Sequence, residues 1–211
     1  MRIDDDAVLW SASEADRADR PLLLLLHGYN SNESDLFGLA PFLPLEPALA
    51  SLRAPIDAGY GYAWFPLMAQ GMDAAIAGAR ASAQAVLDWL DRTVPTQSGI
   101  GLLGFSQGGA MALELLRLDP DRFSYAVNLS GFALPGEREA DGRLEQDALP
   151  VFWGRGTADQ VIAADAIAGT IDWLPAHSTL DARIYEGLAH GISQPELADV
   201  VGFIRAVQAD A

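Results

Sequence analysis

The sequence predicts an α/β protein with a mostly parallel central sheet and helices on both faces. Three observations carry this. Short apolar runs alternate along the chain with stretches of helical periodicity. One run, residues 101–105, opens through Gly104, Ser106 and Gly108 straight into a helix. The 211 residues, 50% of them hydrophobic, suffice for a full core, because folding at this size removes about 70% of the unfolded chain's surface. We expect a single domain over residues 1–211.

Taken in order, residues 7–11 read as an edge strand. Residues 22–27, five leucines and His27, read as a buried strand that ends in a Gly turn. Residues 35–42 read as a short helix, and 49–54 as a weaker strand closed by Pro55. From 72 to 94 the apolar residues fall at 76, 79, 83, 86, 87, 90 and 94, the three-to-four spacing of an amphipathic helix. Residues 101–105 form a strand. Residues 107–118, apolar nearly all round, form a helix packed deep against the sheet and ended by Asp119-Pro120. Two further strands follow at 125–130 and 151–155. Residues 131–149 read as a polar, acidic, solvated loop. A helix over 163–174 is stopped by Pro175, a strand covers 179–185, and a last helix covers 194–207. Ser193 and Glu196 stand at capping-box spacing at its start, with Pro195 in the first turn.

Composition excludes several classes of function. Lys plus Arg total 13 against 29 Asp plus Glu, a formal charge of −16. Such a chain is repelled by phosphate backbones, so nucleic acid is not the expected partner. There is no Cys, which removes disulfides, thiolate metal sites and a thiol nucleophile together. All basic residues are Arg, so Lys Schiff bases and Ser–Lys dyads are excluded. The amino terminus is acidic and lacks an apolar signal region, and no apolar run approaches the roughly 20 residues of a membrane helix. The expectation is a cytoplasmic protein with no stable membrane insertion.

Gly-x-Ser-x-Gly by itself is a weak signal, but here a strand leads in and a helix follows at once. On such an elbow the Ser hydroxyl stands exposed above the sheet, and the flanking glycines spare neighbouring backbone a collision. Ser106 is therefore the candidate nucleophile. It needs a base, and the chain has three His. His190 sits in a Gly-flanked loop after a strand, at the carboxyl edge of the sheet where Ser106 also lies. His177 leaves a helix toward a strand and belongs at the opposite edge. His27 is expected to be structural. In this arrangement the acid follows the Ser and precedes the His. Asp159 alone has a position just after a strand in that interval, where it would fix the imidazole tautomer. The oxyanion of a tetrahedral intermediate needs two N–H donors. The expected ones are Gln107, just after the nucleophile, and Tyr29, in the loop after the first buried strand.

These blocks resemble the phospholipase/carboxylesterase branch of the α/β-hydrolases, the branch that includes acyl-protein thioesterases. The resemblance runs through Leu26-His-Gly-Tyr-Asn-Ser-Asn-Glu-Ser-Asp-Leu36, Gly104-Phe-Ser-Gln-Gly-Gly-Ala110, Gly156-Thr-Ala-Asp159 and Tyr185-Glu-Gly-Leu-Ala-His190, with Ala63-Trp-Phe65 as an aromatic strip. It covers about residues 22–207. It implies the α/β-hydrolase fold, Ser106, Asp159 and His190 as a triad, and Tyr29 and Gln107 as oxyanion donors. Three positions depart from the family's habit: Arg155 precedes Gly156 where His is common, Ala189 precedes the His where Gly is common, and Tyr29 follows His-Gly where Leu or Phe is frequent.

Only 53 residues separate Ser106 from Asp159, and strands and a loop use them, so no cap domain is expected. Small to medium soluble carboxylic esters are the expected substrates, with acyl thioesters or lysophospholipids as alternatives on the same triad. Residues 55–72, with Tyr62, Trp64, Phe65 and Met68, are expected to wall the acyl site. The strongly acidic surface disfavours anionic lipid surfaces. No metal or organic cofactor is needed, and monomer or homodimer is open. A catalytically silent ligand-binding protein on the same scaffold is the rival from another class.

Overall fold

The computed structural model describes residues 1–67, 70–95 and 99–209. Nine strands and seven α-helices are seen in these segments. The first elements are β1 (Leu9–Trp10), α1 (Glu14–Arg17), β2 (Leu22–Leu26), α2 (Ser34–Phe37), β3 (Ala48–Leu52), β4 (Ile56–Asp57) and β5 (Tyr62–Ala63). There follow α3 (Met72–Thr93), β6 (Ile100–Phe105), α4 (Gln107–Leu118), β7 (Tyr125–Leu129) and α5 (Asp141–Asp147). The chain ends through β8 (Pro150–Gly156), α6 (Ala164–His177), β9 (Thr179–Tyr185) and α7 (Gln194–Ala209).

One seven-stranded sheet runs β1-β3-β2-β6-β7-β8-β9, with β4 and β5 as a separate hairpin. All neighbours in the large sheet are parallel except β1 against β3. The expected α/β-hydrolase architecture is the one observed. Alternation along β2 shows how its leucines are shared. Leu22, Leu24 and Leu26 face α3 and α4, whereas Leu23 and Leu25 face α2 and α7. Both faces are therefore covered, which is why the strand reads as a continuous apolar run.

Strand order reverses between β2 and β6, because β3 adds on one side and β7 to β9 on the other. In such sheets the crevice outside the carboxyl ends of the two strands at the reversal is the place for a ligand. The register puts Leu26 opposite Gly104, Phe105 opposite Leu129 and Gly156 opposite Tyr185. The loops after β2, β6, β7, β8 and β9 thus emerge along one edge.

Several elements differ from the sequence reading. The helix expected over 35–42 is broken into α2 and a 3-10 turn at Ala40–Phe42, with Gly38 and Pro41 between and within them. Pro175 does not stop α6, which continues to His177; in a last turn a proline forfeits only one hydrogen bond. The segment 131–149 is not a solvated loop. Phe132, Ala133 and Leu134 are buried, and α5 lies within it. Two buried ion pairs dock it: Arg117 holds both oxygens of Asp141 at 2.8 and 2.6 Å, and Arg138 holds Glu114 at 2.7 and 3.1 Å. Both arginines spend their other donors on the carbonyls of residues 134–137.

Candidate active site

The β6–α4 turn is sharp, and its residues show why. Ser106 has φ 55° and ψ −116°, a left-handed conformation that costs a side chain on the order of 1–3 kcal/mol. A Cβ on Gly104 would strike the Gly108 carbonyl, and one on Gly108 would strike the Leu26 carbonyl. Backbone cannot yield there, so both positions require Gly. The turn is also pinned by the Ser106 N–H, which donates to the Leu129 carbonyl at 2.8 Å.

The Ser106 hydroxyl lies 2.9 Å from His190 Nε2, and His190 Nδ1 lies 2.7 Å from Asp159 Oδ2. A carboxylate only accepts, so Nδ1 carries the ring proton and Nε2 is left to accept from Ser106. Phe105 packs on the imidazole with ring centroids 4.9 Å apart. The Asp159 side chain is 3% exposed and that of His190 16%. Burial works against ionisation of Asp159, but the His190 hydrogen bond and two N–H donors, from Val161 at 2.8 Å and Ile162 at 3.3 Å, outweigh it and hold the carboxyl below its usual range.

The loops that carry the acid and the base are joined through main chain. Thr157 N–H donates to Tyr185 O and Ala158 N–H to Leu188 O, both at 3.0 Å, and Gly187 N–H donates to Thr157 Oγ1 at 2.8 Å. Behind His190, the expected capping box is present: Ser193 Oγ accepts from Glu196 N–H and Glu196 Oε2 accepts from Ser193 N–H. Glu196 is fully buried, and desolvation pushes its carboxyl up to about 7.

Across Ser106 lie Gln107 and the 28–31 loop. Among the described residues neither the Tyr29 nor the Gln107 N–H has a partner. His27 is buried. Its Nε2 accepts from Ala54 N–H at 3.1 Å, so Nδ1 donates to Gly28 O at 2.7 Å, and burial depresses its basicity. A neutral ring with both nitrogens engaged holds a loop and takes no proton from Ser106. His177 closes the far end of α6, stacked on Trp173 with ring centroids 4.4 Å apart, and is mostly buried rather than solvated.

The expected acyl wall needs correction. Trp64 and Phe65 are 0% and 1% exposed, so their rings belong to the core and face no open pocket. Tyr62 is half-buried under the Arg53 guanidinium. Met68 lies outside the described residues. A groove of about 980 Å³ lies between the 132–138 segment and α6, lined by Phe132, Leu134 and Ala166 together with charged residues such as Arg138 and Asp165, and none of Ser106, Asp159 or His190 lines it. Sequence reasoning also missed the Gln107 side chain and Asn30, which takes φ 60°. The signal for Asn30 was its residue type, since Asn tolerates that region. For the Gln107 carboxamide no local signal existed. Among the described residues no three His, Asp or Glu side chains gather as metal ligands.

Comparisons with known proteins give the family and the fold. A family model described as phospholipase/carboxylesterase matches residues 11–208. The chain belongs to that family. It is accordingly a serine hydrolase. The family assignment places it beside acyl-protein thioesterase 1 of Kluyveromyces lactis, 28% identical over 92% of this chain and 94% of that protein. Acyl-protein thioesterase 1 of Candida albicans is 37% identical over 49% of this chain and 48% of its own length. Among solved structures, esterase PE8 superposes with a TM-score of 0.78 at 25% identity, covering 98% of this chain and all of its own. Acyl-protein thioesterase 2 of Zea mays superposes with a TM-score of 0.75 at 25% identity, over 95% and 98%. Among the described residues no helix is long and apolar enough to cross a membrane.

Proposed function

We propose that the protein is a carboxylesterase that hydrolyses small to medium acyl esters through an acyl-enzyme on Ser106. The observation that carries this reading is the unbroken chain from Ser106 Oγ through His190 to Asp159, with spacings of 2.9 and 2.7 Å. Ser106 Oγ attacks the acyl carbon while its proton passes to His190 Nε2. The oxyanion is received by the Tyr29 and Gln107 N–H groups. Collapse expels the alcohol, which takes the proton from His190. Water then repeats the sequence: its oxygen bonds to the acyl carbon, its proton goes to His190, and Ser106 leaves with that proton as the free acid departs. Asp159 stays ionised and steadies the imidazolium. No cap domain encloses the site.

Acyl thioesters are a second reading, favoured by the relatives named acyl-protein thioesterases. A thiol is the better leaving group, so the same residues serve. The test is a panel of p-nitrophenyl esters from acetate to palmitate beside acyl thioesters, with Ser106→Ala as reference. A fluorophosphonate probe should label the wild type and leave Ser106→Ala unlabelled. An unlabelled wild type, inert on the whole panel, would instead mark a silent binding scaffold.

A further inference from the structure

Beyond Leu26 and Gly104 the pairing of β2 with β6 ends, yet Tyr29 and Gln107, three residues further along each chain, must hold their N–H groups at one oxyanion. The segment 61–65 spans that gap. On the Gln107 side, Trp64 N–H donates to Gln107 Oε1 and Gln107 Nε2 donates to Phe65 O, each at 2.8 Å. The buried carboxamide thus behaves as one rung of a β-ladder. Only an amide fits, because one partner donates and the other accepts. On the Tyr29 side, Trp64 Nε1 donates to His27 O at 2.9 Å. Asn30 N–H donates to Tyr62 O at 2.8 Å, Tyr62 N–H to Ser31 O at 2.7 Å, and Gly61 N–H to Asn30 Oδ1 at 3.0 Å. A Cβ on Gly61 would strike the Asn30 backbone, which requires Gly at this crossing. Among the described residues, Trp64 alone bonds both to Gln107 and to the residue before Gly28.

We infer that the Gln107 carboxamide and the Trp64 indole are positioning groups for the oxyanion hole, setting the distance between the Tyr29 and Gln107 N–H donors. This rests on the esterase reading of Ser106. The backbone of Gln107 touches the oxyanion, while its side chain acts at a remove by tying that backbone to a strap anchored on the other donor's loop. Donors displaced by a fraction of an ångström lose more with the transition state than with the substrate. The expected signature is a fall in kcat at nearly constant KM.

The experiment compares wild type with Gln107→Met, which keeps the shape and removes both bonds, and Trp64→Phe, which keeps an aromatic ring and removes the indole donor. Leu144→Ala, fully buried on α5, is the control for lost stability alone. The readouts are kcat and KM on a p-nitrophenyl ester and Ki for an alkyl boronic acid, which binds Ser106 as a tetrahedral adduct. Gln107→Met should lower kcat about 10- to 100-fold with KM within about twofold, and boronate Ki should rise by the same factor as kcat/KM falls. Trp64→Phe should do the same to a smaller extent. Leu144→Ala should lower Tm and leave all three constants in place. The inference is overturned if kcat is unchanged in folded Gln107→Met and Trp64→Phe, if KM rises instead, or if Ki stays fixed while kcat falls. It is equally overturned if neither variant yields folded protein, since the pair would then serve folding. Failure of the esterase reading looks different: the wild type would not react with the fluorophosphonate.

Discussion

On one flank of Ser106, the loops of Asp159 and His190 are joined by main-chain bonds, Thr157 to Tyr185 and Ala158 to Leu188. On the other flank, the Tyr29 loop and Gln107 are joined through side chains, those of Gln107, Trp64 and Asn30. The difference follows from the sheet. Strands β8 and β9 stay in register to Gly156 and Tyr185, so the loops leaving them are still close enough to pair directly. Pairing of β2 with β6 ends at Leu26 and Gly104, and beyond it side chains supply the bonds that tie the Tyr29 loop to Gln107. A flank held by backbone tolerates side-chain truncation and fails when a Cβ is added. A flank held by side chains is in addition open to loss by side-chain truncation.

The largest test lies on the backbone-held flank at the one side chain it cannot lose. Asp159→Asn should keep the fold and lower kcat about 10⁴-fold, because the amide favours the wrong imidazole tautomer; steady-state kinetics read this directly. Next comes Gly156→Ala. Its Cβ would strike the Leu188 carbonyl, which is backbone and cannot yield without moving the His190 loop. We expect kcat to fall about 100-fold, the scale of an ångström's misplacement. Gly28→Ala, whose Cβ meets the Phe105 ring at 3.3 Å, should cost much less because a side chain can shift. Equal losses in the two variants would erase the contrast between the flanks.

The capping box beneath His190 adds a pH test. The buried Glu196 carboxyl is pushed up to about 7 from the ordinary value near 4.5. Between those values the native state binds a proton that the unfolded chain has lost, so stability falls as pH rises from 4.5 to 7. The drop is on the order of 3 kcal/mol. Glu196→Gln keeps the capping geometry and should flatten that slope in denaturant titrations at several pH values. A slope unchanged by the substitution would place the titrating group elsewhere. The smallest expected effect is that of Thr157→Val, which removes one side-chain bond to Gly187 from a flank otherwise held by backbone. It should cost about 1 kcal/mol in stability and change kcat less than twofold.

Much of this architecture was legible before any coordinates. The strands at 22–26, 100–105 and 125–129 lie within a residue or so of their expected places, because buried parallel strands announce themselves as apolar runs between turns. The helices at 72–93 and 107–118 follow the same logic through their periodicity. His190 could be preferred over His177 because the chain direction puts one at each edge of the sheet. What failed to show was whatever depends on distant partners. The charged segment 131–149 looks solvated because Arg138 and Asp141 are indistinguishable from surface charges until Glu114 and Arg117 of α4 meet them. The aromatic strip at 64–65 looked like a pocket wall because a buried Trp and a ligand-facing Trp are the same letter.

The sequence by itself determined the element order, the elbow at Ser106 and the family, since these rest on local periodicity, on glycines that nothing larger can replace, and on contiguous motifs. Only the tertiary structure decided which side chains serve the site without touching it. Gln107 and Trp64 are 43 positions apart, and their hydrogen bonds exist only because sheet order reverses between β2 and β6 and leaves a crevice that main-chain pairing does not span.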